Sequence, residues 1–117
     1  MQYSEIYSKL CVETALIIFF KSNGEIRLML GTRNLQTVAL KWGFQGYALG
    51  GFDNRCNINN GNVAVFDILL GDARCFKVDR LIEINYYGEI RTLEDLEKTI
   101  DKFNKFKKAY EDAINKE

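Results

Sequence analysis

The sequence predicts a mainly β domain with added α: a small antiparallel barrel followed by a long C-terminal amphipathic helix. Three observations carry this expectation. Five short segments between Val12 and Tyr87 are rich in β-branched and aromatic residues and are punctuated by glycine or asparagine. From Leu93 onwards the apolar residues recur at helical spacing instead. The length of 117 residues and the 47% hydrophobic content suit one domain with its own core. The expected layout is therefore a single domain over 1–117, with the barrel at 12–87 and the helix at 92–117.

Each element has its own reason. Met1–Leu10 can form a turn or more of helix, with Ile6 and Leu10 on one side. Val12–Phe20 reads as the first strand, and beyond Thr14 both of its alternating faces are apolar, which predicts burial on both sides. Asn23-Gly24 predicts a two-residue type I′ hairpin, whose central residues both need φ > 0. It leads into Glu25–Gly31, where Ile26, Leu28 and Leu30 share one face and Arg27 and Met29 the other. Asn34 is placed to cap a short helix reaching Leu40.

Lys41–Asn62 reads as a long loop, or as a loop with an irregular strand inside it. Glycine alternates with aromatics from Trp42 to Phe52, and asparagine follows at 57, 59, 60 and 62. Loops of this length in compact domains are usually functional or mobile. Val63–Leu70 and Ala73–Val78 form two further strands joined at Gly71-Asp72, and Leu81–Tyr87 a fifth with Ile82, Ile84 and Tyr86 on one face. Thr92-Leu93-Glu94-Asp95 resembles a capping box with Asp95 in place of the preferred glutamate or glutamine. Leu93, Leu96, Ile100, Phe103, Phe106 or Lys107, Tyr110 and Ile114 then recur at helical spacing and make the stripe of the helix, which lies on the barrel or on a second subunit. A homo-oligomer is expected on that ground.

Acids and bases balance at 16 each, so no overall field draws the protein to nucleic acid or membrane; local patches must do so. The longest strongly apolar run, Ala15–Phe20, falls far short of the roughly 18 residues of a membrane span. Met1–Glu5 lacks the features of a signal peptide, and the expected location is cytoplasmic. Cys11, Cys56 and Cys75 are widely spaced and read as reduced thiols, Cys75 as a buried one. There is no histidine, which removes the commonest general base and metal ligand. No enzymatic activity, metal or cofactor is expected.

The first strand pair and the later hairpin resemble a phage-associated family of WYL-like domains with an Sm-like, SH3-type β-barrel fold. The matching elements are Asn23-Gly24-Glu25-Ile26-Arg27-Leu28-Met29-Leu30-Gly31-Thr32 and Val63-Ala64-Val65-Phe66-Asp67, with Arg74-Cys75-Phe76 and Leu81 beyond. The resemblance covers roughly residues 12–85 and leaves out the C-terminal helix. Where the family tends to carry tryptophan before the Arg-x-Phe arginine, this chain has Ala73. The resemblance implies an SH3-like or Sm-like barrel and a mobile-element setting in a bacterial host cell. It implies no activity.

The arginines are distributed unevenly. All six, Arg27, Arg33, Arg55, Arg74, Arg80 and Arg91, precede the helix, whose cations are all lysines. Between Glu25 and Asp53 there is no acid, while Arg27, Arg33, Lys41, Trp42, Phe44, Tyr47 and Phe52 lie there. Cations interleaved with aromatics suit phosphate contacts and base stacking. The alternative is that these aromatics pack the barrel mouth and the arginines pair with nearby acids. The candidate ligand-binding residues are Arg27, Arg33, Trp42, Tyr47, Arg55 and Arg74. The expected role is binding that sequesters or blocks a nucleotide or nucleic-acid target, with counter-defence as the setting the resemblance suggests. A protein–protein adaptor acting on a host protein through the aromatic loop and the helix is the alternative.

Overall fold

A computed structural model describes residues 3–43 and 60–115. The order is helix α1 (Tyr3–Leu10), strands β1 (Ala15–Phe20) and β2 (Ile26–Thr32), helix α2 (Leu35–Trp42), strands β3 (Asn62–Asp67) and β4 (Asp72–Lys77), a 3-10 turn at Val78–Arg80, strand β5 (Leu81–Tyr86) and helix α3 (Leu93–Asn115). The strands form one antiparallel sheet in the order β4-β3-β2-β1-β5. Its two edge strands are consecutive in the chain and joined only by the 3-10 turn, so the sheet must curl to bring its edges together.

The two faces show this curl. All five strands contribute to one apolar cluster, through Ile17, Phe19, Met29, Val65, Phe76, Leu81 and Ile84. Ile6 and Leu10 of α1 join it, so this is the barrel interior with α1 over one end. The opposite, convex face draws mainly on the central strands, with Leu16, Ile18, Leu28, Leu30 and Phe66, and Ala73 of β4 packs against it. There Val38 of α2 and Leu96 and Phe103 of α3 cover it. This explains why β1 is buried on both faces up to Phe19, as its unbroken apolar run predicts. Gly31 belongs to the crowded interior: a Cβ there would lie 3.2 Å from both Ile17 Cδ1 and Val65 Cγ2.

Several local expectations hold. Asn34 caps α2, its Oδ1 accepting from the backbone N–H of Gln36 and Thr37 at 3.0 and 3.4 Å. Thr92 Oγ1 accepts from Asp95 N–H at 3.1 Å to start α3. The α3 pairs Glu94–Lys98 and Asp101–Lys105 stand at 3.4 and 3.0 Å on the exposed surface.

Others are corrected. The first hairpin is not a type I′ turn, because among the described residues no non-glycine has positive φ, and only Gly24 (φ 87°) does so here. Gly24 N–H instead bonds to Lys21 O, and Lys21 N–H to Glu25 O, giving a three-residue loop closed by a left-handed glycine. The fifth strand carries a bulge: Ile18 pairs with Glu83 and Phe19 with Leu81. Ile82 is thereby thrown outward, and Leu81 rather than Ile82 joins Ile84 and Tyr86. The α3 stripe is only partly covered, since Leu93, Phe106 and Ile114 are exposed. Cys75 is neither buried nor a free thiol; it lies on the exposed side of β4 and is disulfide-bonded, whereas Cys11 is free. Cys56 and most of the proposed 41–62 loop lie outside the described residues.

Candidate functional site: a basic barrel mouth

Cross-strand register decides which arginines meet. Arg27 is opposite Phe19, and Arg74 opposite Val65, so both arginines stand on the interior face of the curled sheet. They sit where the β1–β2 hairpin and β4 border a groove of about 680 Å³. Phe19 and Phe76, both buried, form its apolar floor. Lys21, Lys77 and Arg80 complete a set of five cations with Arg27 and Arg74, and no carboxylate lies among the described lining residues.

The cations are poorly neutralised. Lys21 Nζ lies 3.4 Å from Glu25 Oε2, an exposed pair of little energetic weight. Arg27, Arg74, Lys77 and Arg80 make no ion pair among the described residues. Arg74 Nε is buried and has no hydrogen-bond partner among the described residues. A guanidinium N–H withdrawn from water without an acceptor is costly. Phe20, 43% exposed, stands at the rim with Ser22 and Asn62. Chemically, the groove offers forked donors, point charges and an aromatic face, which together fit phosphate groups carrying a stackable base.

Two sequence-derived candidates do not belong to it. Arg33 is 2% exposed; Nη1 donates to Ala64 O at 2.6 Å and Nη2 to Tyr7 Oη at 2.7 Å. Its Cζ also lies 4.1 Å from the Tyr7 ring centre. The reason is topological: β2 and β3 pair only at Gly31–Asp67 and Thr32–Phe66, so Ala64 O lacks a β2 partner and the Arg33 side chain substitutes for one. Arg33 is thus a structural clasp between β2, β3 and α1, not a ligand-binding surface residue.

Trp42 is placed away from the groove as well. Its Nε1 donates to Ile68 O at 2.9 Å, and its ring meets Phe66 edge-on at 6.5 Å. The indole lies over Gly71 (φ 79°), where an added Cβ would come within 2.7 Å of Cη2. Tyr47 and Arg55 lie outside the described residues.

The structure therefore brings together Arg27 and Arg74 of the expected set and adds Lys21, Lys77 and Arg80. Arg74 and Phe76 alternate on β4 in a way the sequence displays, and that alternation was the available signal. Lys21 and Arg80 join only through the hairpin and the 3-10 turn.

Among the described residues no group of three potential metal ligands occurs, and no helix is long and apolar enough to cross a membrane. No curated protein and no solved structure matches the chain. A family model does match, over residues 3–82, and so takes in α1 and strands β1 to β4 while stopping just inside β5 and before α3. The chain belongs to this family, WYL_2, described as having an Sm-like SH3 β-barrel fold.

Proposed function

We propose that this protein is a non-catalytic binding module that holds a phosphate-bearing ligand, a nucleotide or single-stranded nucleic acid, in its barrel mouth. The observation that carries the reading is the pair Arg27 and Arg74, which have no ion-pair partner among the described residues and flank a floor of Phe19 and Phe76 in a groove with no carboxylate among its described lining residues. Such a module acts by sequestering or blocking its target. In the phage setting suggested by the resemblance, that would be a counter-defence role. A second reading, an adaptor or homo-oligomer that docks through α3, is favoured by the exposed Phe106 and Ile114.

Salt separates the two readings. Anisotropy of a labelled single-stranded oligonucleotide is expected to report affinity falling with salt, with a log–log slope of about −2 to −3 if three or four cations engage phosphates. Arg27→Ala and Arg74→Ala should each flatten that slope by about 0.7. No binding at low salt, or binding indifferent to both substitutions, would overturn the proposal. A salt-insensitive self-association lost in Phe106→Ala would favour the second reading.

A further inference from the structure

Among the described residues, strand β2 is paired along its whole length on one side only. The bond from Lys21 N–H to Glu25 O sets the phase of the β1–β2 ladder, making Phe19–Arg27 and Ile17–Met29 the hydrogen-bonded pairs. Ile26, Leu28 and Leu30 therefore direct their N–H and C=O groups away from β1. On that side β3 meets β2 only at its end, through the Gly31 and Thr32 pairs and a 2.9 Å bond from Ile68 N–H to Leu30 O. Beyond this point the chain leaves β2: Leu70 N–H bonds to Asp67 Oδ1, Gly71 N–H bonds to Asp67 O, and β4 begins. At Ile26 and Leu28 the outward backbone groups have no ladder partner among the described residues.

Leu28 is only 8% exposed, and peptide groups beside buried side chains are costly when unpaired. A groove of about 230 Å³ lies next to it, between β2, the turn after β3 and α3. Leu28, Leu69, Leu70 and Phe103 supply its apolar walls, and its charged lining is two cations, Arg27 and Lys107, against one carboxylate, Asp67, whose Oδ1 already accepts from Leu70 N–H. Leu69 and Leu70 are 36% and 48% exposed, and neither cation has an ion-pair partner among the described residues.

We propose that the open edge of β2 receives an extended segment of a partner protein, added as a strand in the place that β3 vacates. The unsatisfied groups form a row of backbone donors and acceptors, which a strand can complete and a helix cannot. The segment alternates apolar and acidic residues. Its side chains on the convex face enter the walls of Leu28, Leu70 and Phe103, while those on the other face stand beside Arg27. The inference stands apart from ligand binding at the barrel mouth, although the two occupants would share Arg27.

The test is selection from a displayed library of random heptapeptides on the full chain, followed by affinity measurement. Enriched peptides should alternate apolar and acidic residues, and N-methylation of the amide that pairs with Leu28 should weaken them about tenfold. Leu70→Asp should weaken them at least as much, and amide exchange at Leu28 should slow when peptide is bound. Lys107→Glu should impair peptide binding while leaving oligonucleotide binding unchanged, so failure of one reading does not entail failure of the other. The proposal is overturned by a selection without enrichment, or by peptides indifferent to N-methylation and to Leu70→Asp. It is also overturned by concentration-dependent protection of Leu28 without peptide, which would assign the edge to a second copy.

Discussion

Replacing Arg33 by alanine is expected to cost stability while leaving the ligand contacts of the barrel mouth in place. The side chain is 2% exposed and donates to Ala64 O at 2.6 Å and to Tyr7 Oη at 2.7 Å. Hydrogen bonds from a charged donor contribute about 1.5–3 kcal/mol each, and the stacked Tyr7 ring about 0.5–2 kcal/mol more. Relief from burying a charge offsets part of this, so a net loss of about 3 kcal/mol is expected. For 117 residues the unfolding entropy is about 0.25 kcal/mol/K, and the melting temperature should fall by about 12 °C. Urea and thermal unfolding measure the loss, and oligonucleotide titration of the folded variant measures what remains of binding. Arg33→Lys should recover less than half, since a single ammonium cannot reproduce the guanidinium fork. A loss below about 1 kcal/mol, or lost binding at unchanged stability, would refute the assignment of Arg33 as a clasp.

Three further outcomes follow from the same geometry. Gly71→Ala should destabilise by about 2–3 kcal/mol, because it combines positive φ with a clash against Trp42, whereas Gly24→Ala, with open space around it, should cost about 1–2 kcal/mol; paired urea titrations decide. Phe103→Ala should cost about 3–5 kcal/mol, and Phe106→Ala, on the exposed side of α3, under about 1 kcal/mol, as measured by thermal melts. Tyr86 has its pKa raised above 10.0, first by burial and then by Glu5 and Glu13. The folded state thus favours the neutral phenol, and this contribution is complete below pH 10.0 and lost as pH rises through the raised folded-state value. Tyr86→Phe should therefore show a shallower fall of the urea midpoint with alkaline pH than the wild type.

Much of the fold was legible because it rests on short-range patterns. An unbroken apolar strand such as Ala15–Phe19 announces burial on both faces, and Asn34 and Thr92 cap helices by reaching N–H groups two or three residues away. The hairpin was placed correctly but its type was not. An Asn-Gly pair permits two positive-φ residues without requiring them, and the chain used only Gly24. The bulge that turns out Ile82 was hidden for a similar reason: an extra residue in one strand is visible only against its partner.

The candidate site divides along the same line. The sequence alone determined that cations and aromatics are interleaved in the acid-free stretch between Glu25 and Asp53, that histidine is absent, and that Arg27 shares a face with Met29. It could not determine which arginine would be consumed by the fold. Arg33 and Arg27 are chemically identical, but Arg33 lies where β2 and β3 part and an orphaned Ala64 carbonyl needs a donor. Arg27 lies opposite Phe19, facing Arg74 across the barrel mouth. Register and curl made that choice, because residues far apart in the chain become neighbours only when the strands pair and the sheet closes on itself.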